Sequence, residues 1–342
     1  MYLAILRTGM TQSFQHIGII GSGAWGTALG LAMRRAGRDV LLWARETEVA
    51  EAINKQHENR AFLPGIVLDA QIKATTNFAD LTGCDVLFLV TPAQHTRETG
   101  KQLAVALSAG RAPVVICAKG IEQKTGKLLG EVVGEELAGH PVAVLSGPSF
   151  AAEVARDLPT ALTFATKDKA LGEQLVKAIG TKHFRLYLTD DVVGAQIGGA
   201  IKNVLAVACG ITFGCKMGEN ARAAIITRGL AELMRLGAAM GARAETLMGL
   251  SGLGDLVLTC SSLQSRNMSL GAALGEGAIL ADILAKRTGI TEGVFTAAAA
   301  KALAKKHNVE MPIVAAVDAV LNHGAGLEET IEALLARPMR GE

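Results

Sequence analysis

The sequence predicts an α/β domain built on a parallel, doubly wound sheet, followed by an all-α domain. Three observations carry this. Short β-type apolar runs alternate with helical patterns up to about residue 190. After Thr189-Asp190 the strand-like runs stop and helical periodicity continues to the end. At 342 residues the chain is too long for one typical core. These place a mobile extension at residues 1–14, the first domain at 15–190 and the helical domain at 191–342.

The first strand and turn, His16-Ile17-Gly18-Ile19-Ile20-Gly21-Ser22-Gly23-Ala24-Trp25-Gly26, organise the chain. An apolar run ends in three glycines and an Ala/Leu-rich helical pattern follows. Gly21 turns the chain where a Cβ would clash, Gly23 opens the backbone N–H groups to a diphosphate, and Gly26 lets helix and strand pack closely. A strand before and a helix after are the context in which this spacing signals dinucleotide binding. The helix N-terminus then faces the diphosphate with its positive end.

The first helix runs to about Ala36 and stops at Gly37. Asp39 to Ala44 is the second strand, and Arg45-Glu46 follows it. An acidic residue about 20 positions past the glycines reads a ribose hydroxyl, whereas arginine suits a 2′-phosphate. Arg45 therefore favours NADP(H), and Glu46 keeps NAD(H) admissible; the plain alternative is a solvated Arg45. Glu48 to His57 reads as helix and Asn59 to Gly65 as loop. Cys84 to Val90 is a nearly continuous apolar strand, as buried parallel strands are, and it ends at Thr91-Pro92. Pro113 to Ala118 is the next strand, with Lys119-Gly120 at its carboxyl end. Ligands bind beyond the carboxyl ends of such strands, so Lys119 points into the same crevice. Thr125 to Ala138 reads as helix. Pro141 to Leu145 is a strand ending in Ser146-Gly147-Pro148-Ser149-Phe150-Ala151, and Thr160 to Thr166 and His183 to Leu188 follow as strands around a helix at Ala170 to Ile179.

The helical domain opens with Val193-Gly194-Ala195-Gln196-Ile197-Gly198-Gly199-Ala200-Ile201-Lys202-Asn203. Gly194, Gly198 and Lys202 share one helix face. Each interior glycine costs about 1 kcal/mol relative to alanine, so something must approach that face closely. Two readings stay open: a small, dry space where Lys202 exchanges a proton with a carbonyl, or close helix packing with Lys202 at the solvent edge. Glu219 to Met240 is a long amphipathic helix. Ser251-Gly252-Leu253-Gly254-Asp255 puts an aspartate in a glycine-flanked turn. Ser265-Arg266-Asn267 opens another helix and offers backbone donors, side-chain donors and one fixed charge, which is chemistry for a phosphate monoester or, more plainly, an N-cap with an exposed arginine. Several short helices fill Ala281 to Arg337, with Glu292-Gly293 in a loop.

Composition narrows the function. Half the residues are hydrophobic and 19% are charged, and 34 basic against 32 acidic residues give a net charge of +2 without charged blocks. Nucleic-acid binding has no electrostatic footprint here. The five cysteines follow no CxxC or Cys/His spacing, so no metal site is expected and the cytoplasm is the natural compartment. No signal peptide and no membrane-spanning segment is expected.

Jointly, Gly21 to Ala28, Cys117 to Gly120, Ser146 to Ala151, Gly198 to Val204, and Leu253 to Cys260 with Ser265-Arg266-Asn267 resemble bacterial NAD(P)-dependent glycerol-3-phosphate dehydrogenase, over about residues 15 to 335. The resemblance implies a Rossmann-type dinucleotide-binding domain, an all-α C-terminal domain and reversible reduction of dihydroxyacetone phosphate to sn-glycerol 3-phosphate, which supplies phospholipid synthesis. It implies Lys202 as the proton donor and acceptor. It matches Lys119, Gly147, Ser149, Lys202, Asp255, Ser265, Arg266 and Asn267 to substrate positions. It matches Ala24, Trp25, Arg45, Lys119, Ala151, Arg266, Ile290 and Glu292 to cofactor positions, beside the Gly21, Gly23 and Gly26 loop. Position 24 departs from the pattern, being alanine where many relatives have serine. A homodimer is implied as well. The alternatives are a β-hydroxyacid or ketopantoate dehydrogenase on the same plan, and a non-catalytic dinucleotide sensor.

Overall fold

The structure, a computed structural model, describes residues 14–107, 111–287 and 289–338. Residues 1–13, most of the expected extension, lie outside them. Phe14 was assigned to that extension, but it is 1% exposed and packs in the core of the first domain.

In chain order the first half lays down β1 (His16–Ile20), α1 (Ala24–Arg35), β2 (Asp39–Trp43), α2 (Thr47–Gln56), β3 (Glu58–Asn59), β4 (Leu63–Val67), β5 (Lys73–Thr75), β6 (Val86–Leu89), α3 (Thr96–Ala106), β7 (Val114–Ile116), α4 (Leu129–Glu136) and β8 (Val142–Ser146). Then come α5 (Ala151–Ala155), β9 (Thr160–Thr166), α6 (Lys169–Ile179) and β10 (Phe184–Thr189). Eight strands form one sheet in the order β10-β9-β8-β7-β6-β1-β2-β5. From β5 to β8 all neighbours are parallel, and β9 joins β8 antiparallel. The chain leaves β1 toward β2, then returns to its other side at β6. That reversal opens a crevice at the carboxyl ends of β1 and β6. Ile17, Ile19, Val86, Phe88 and Val115 are fully buried beneath it, because helices cover both faces of the sheet.

Three local expectations change. Glu58–Asn59 and Leu63–Val67 form an antiparallel ribbon where a loop was expected. The three-residue edge strand β5 had no apolar run to announce it. The helix expected from Thr125 starts only at Leu129, because Glu122 N–H bonds the Lys127 carbonyl in a tight turn before it.

The second half is helical: α7 (Val192–Gly214), α8 (Glu219–Ala239), α9 (Ala244–Met248), α10 (Asp255–Cys260), α11 (Arg266–Gly275), α12 (Leu280–Ala285), α13 (Glu292–Lys306), α14 (Pro312–His323) and α15 (Leu327–Leu335). A turn of π-helix, Leu250–Gly254, runs into α10, so Asp255 begins a helix and does not sit in an open turn. Glu292 likewise begins a helix. By length and composition alone, the helix α7 is long and apolar enough to cross a membrane. It is instead the central helix of its domain, with 89% of that apolar window buried in protein. Against α11 it packs through paired glycines. A Cβ on Gly210 would stand 2.1 Å from the Met268 carbonyl oxygen, and one on Gly271 2.1 Å from that of Val207. The two backbones therefore touch, which fixes the start of α11 beside Asn203.

Candidate active site

The glycine loop is built as its residues dictate. Gly21 has φ +117°, and a Cβ there would press on the Val90 and Thr91 backbone at 3.0–3.2 Å. Its N–H donates to the Trp43 carbonyl, tying the loop to the end of β2. A Cβ on Gly26 would overlap the Gly21 carbonyl oxygen, so only glycine allows α1 to start so close to β1. Gly23 differs: nothing lies within 4 Å of its Cβ position. Asn59 supports the loop from below. Its Nδ2 donates to the Ser22 carbonyl at 2.7 Å and to Thr27 Oγ1 at 2.8 Å. Sequence reasoning missed Asn59, since the ribbon that carries it has no strong pattern.

At the carboxyl ends of β7 and β8 two lysines meet one carboxylate. Lys202 Nζ, from α7, donates to Asp255 Oδ1 at 2.7 Å and to Thr259 Oγ1 at 2.8 Å. Lys119 Nζ donates to Asp255 Oδ2 at 2.7 Å and to the Gly147 carbonyl at 2.8 Å. The Asp255 side chain is 1% exposed and that of Lys202 is 9% exposed. Burial pushes the Lys202 pKa down to about 8; Lys119 adds to this and Asp255 opposes it. An ammonium in that range donates and recovers a proton near neutrality. Two cations around one anion leave a net positive charge, suited to an oxygen that gains negative charge. Ser149 Oγ also donates to the Gly147 carbonyl, at 3.0 Å.

The glycines of α7 divide their work differently from either sequence reading. A Cβ on Gly198 would be 2.3 Å from the Ser251 carbonyl oxygen, and one on Gly194 would meet Asp191 and Thr246. Protein fills those two positions. Gly199 instead faces the first domain, where a Cβ would meet Ser146 Oγ at 2.7 Å and Lys119 at 3.2 Å. Close packing is thus real, yet it encloses Lys202 instead of leaving it at a solvent edge. Thr259 was missed. Its signal was the four-residue spacing from Asp255, which means one helix face only once Asp255 is known to be helical.

A chain of amides crosses the domain junction. Asn203 Nδ2 donates to the Lys119 carbonyl at 3.0 Å, Asn267 Nδ2 to Asn203 Oδ1 at 2.9 Å, and Gly293 N–H to Asn267 Oδ1 at 2.9 Å. Asn203 was also missed by sequence reasoning. Ser265 is the N-cap of α11: its Oγ accepts from Met268 N–H, which leaves the hydroxyl proton to donate outward. Arg266 is solvent-exposed, yet enough protein surrounds its guanidinium to pull its pKa down, with Glu292 opposing; a cleft has both properties. Glu292 reaches from α13 to the end of β6, where Oε1 accepts from Ala93 N–H at 2.9 Å. Burial raises the pKa of this carboxyl.

These residues fit a dinucleotide. Glu292 Oε2 and Trp25 Nε1 are buried polar atoms without a protein partner, and the space at Gly23 is open. Ala24 and Trp25 open α1, Ala151 opens α5, and all three pack on the core around the loop. Ile290 is half-buried just before α13. Arg45 stands apart, two residues past the Trp43 carbonyl, with its side chain 76% exposed.

Comparisons with known proteins agree with the two-part fold. Residues 16–172 match the model of the NAD-dependent glycerol-3-phosphate dehydrogenase N-terminus, and residues 191–332 match that of its C-terminus. The chain belongs to this family. It is 55% identical over 333 residues to a glycerol-3-phosphate dehydrogenase [NAD(P)+] of Parvibaculum lavamentivorans, covering 97% of this chain and all of that one. With the counterpart of Rhodospirillum rubrum it shares 56% identity, covering 97% of this chain and 95% of that one. Among solved structures, the glycerol-3-phosphate dehydrogenase of Coxiella burnetii superposes with a TM-score of 0.91 at 38% identity, covering 94% of this chain and 99% of that one. Both glycerol-3-phosphate dehydrogenase halves are thus present, and the cluster of Lys119, Lys202 and Asp255 lies where they meet.

Proposed function

We propose that the chain reduces dihydroxyacetone phosphate to sn-glycerol 3-phosphate, reversibly and with NAD(P)H, and that Lys202 is its proton donor. The observation that carries the residue roles is the buried Lys202–Asp255–Lys119 cluster at the carboxyl edge of the sheet. When bound, the nicotinamide supplies the hydride. The loop at Gly21, Gly23 and Gly26 with Ala24 and Trp25 holds the dinucleotide, and Ala151, Ile290 and Glu292 complete its site. As the substrate carbonyl carbon accepts hydride, charge develops on its oxygen. Lys202 stabilises that charge and delivers the proton, which is worth roughly 10²–10⁴-fold in rate. Asp255 and Thr259 fix the direction of the Lys202 ammonium. Lys119 adds positive charge beside the same oxygen. Ser265, Arg266 and Asn267 with the α11 N-terminus hold the phosphate, and the Gly147–Ser149 turn closes the substrate from the sheet side.

Family membership sets aside the ketopantoate and β-hydroxyacid readings and the non-catalytic sensor. We place the division between the domains at Asp191, in the junction between β10 and α7. A homodimer in the cytoplasm, with NADP(H) preferred through Arg45, completes the proposal. NADPH oxidation with dihydroxyacetone phosphate, beside ketopantoate and a β-keto acid, tests the activity. Turnover is expected with the phosphorylated ketone alone, and turnover confined to a carboxylate substrate would overturn it.

A further inference from the structure

Arg45 and Glu46 follow β2 as neighbours with opposite charges. Arg45 donates from Nε to Glu46 Oε1 at 2.9 Å and from Nη2 to the same oxygen at 2.5 Å. Glu46 is the N-cap residue of α2, but its carboxylate does not accept from the amides of that helix. It turns instead onto the guanidinium. The exit of β2 is itself held firmly: the Trp43 carbonyl accepts from Gly21 N–H, Ala44 N–H donates to Thr75, and the Trp43 ring stacks on Phe78 at 4.2 Å. Both side chains therefore project from a fixed point beside the glycine loop, where the adenosine ribose of a dinucleotide lies.

We infer that Glu46 sets the balance between the two dinucleotides by competing for Arg45. The inference rests on the dinucleotide reading above. A 2′-phosphate needs the face of the guanidinium that Glu46 now occupies, and the Glu46 carboxylate repels that phosphate as well. A ribose 2′-hydroxyl is neutral and donates a proton, so the same carboxylate accepts from it. Glu46 thus opposes NADP(H) and supports NAD(H), while Arg45 does the reverse. Because the Arg45 side chain is 76% exposed and that of Glu46 34%, solvent screens the pair and the effect is moderate, about three- to tenfold.

The test is calorimetric titration of the full chain with NADPH alone and with NADH alone. Glu46→Gln is expected to tighten NADPH about three- to tenfold, and to leave NADH unchanged or weaker. Arg45→Ala is expected to weaken NADPH much more than NADH. On the Arg45→Ala background, Glu46→Gln should then give most of its NADPH gain away, since competition needs both partners. An NADPH-to-NADH affinity ratio that Glu46→Gln does not move overturns the inference while the dinucleotide site stands. A full gain without Arg45 also overturns it, leaving simple charge repulsion as the cause. If the unaltered protein binds neither dinucleotide, the dinucleotide reading fails and this inference fails with it.

Discussion

Two stretches of this chain spend glycine on opposite ends. In the loop after β1, Gly21 and Gly26 are pressed against backbone, but Gly23 opens on empty space. In α7, Gly194, Gly198 and Gly199 are each filled by protein: by Asp191, by the Ser251 carbonyl, and by Ser146 with Lys119. The first arrangement makes room for a ligand backbone. The second lets surrounding protein close on Lys202, so that a charge which prefers water is held dry beside one carboxylate. One residue type at similar density therefore means a binding loop in one place and a tight wall in the other. What fills the missing side chain decides between them.

Removing the enclosed group should have the largest effect. Lys202→Ala is expected to lower turnover by roughly 10²–10⁴-fold while NADPH affinity, titrated separately, stays near that of the unaltered protein. Normal turnover would separate the dry wall from the chemistry. Next in size, Gly198→Ala forces a methyl against the Ser251 carbonyl and should destabilise the fold by about 1–3 kcal/mol, read from denaturant unfolding. A change below about 0.5 kcal/mol would mean that the wall gives way easily. Gly23→Ala should do the reverse. Its φ of −66° suits alanine and its surroundings are empty, so stability should stay within about 0.5 kcal/mol while dinucleotide affinity falls about tenfold.

The smallest effect is on pH dependence. As the proposed proton donor, the Lys202 ammonium, held at about 8, would have to be protonated for ketone reduction and neutral for alcohol oxidation. Reduction should fall as pH rises through about 8, and oxidation should rise over the same range. Asp255→Asn removes the anion that opposes the downward shift, so the inflection should move to lower pH. An inflection that stays in place would assign it to another group.

Much of this was legible in the chain. The order of strands and helices, the turn at Gly21–Gly26, Lys119 at a strand end and Ser265 as an N-cap all follow from local patterns of apolar residues, glycines and caps. Lys202 could be placed on a glycine-bearing helix face, but not in or out of solvent. Asp255 was read in a turn because its flanking glycines suggest one; the π-turn that continues into α10 depends on packing against Gly198 and leaves no local signature. The edge strand β5 was missed because three residues ending a sheet need no apolar run. Asn59, Asn203 and Thr259 were missed for a related reason. Their partners lie 37, 84 and 57 residues away, and a polar side chain does not announce a distant partner.

By itself, then, the sequence determined the two-domain plan, the dinucleotide fingerprint and the residues proposed above to meet a phosphate and a carbonyl. Those depend on short-range periodicity and on backbone conformations that few residues tolerate. Only the tertiary structure decided that Asp255 joins Lys119 to Lys202, that Asn203, held by Asn267, reaches the Lys119 carbonyl of the other half, and that Arg45 is already engaged by Glu46. These are electrostatic and hydrogen-bonding relations set by distance and burial, and distance between remote residues exists only once the chain has folded.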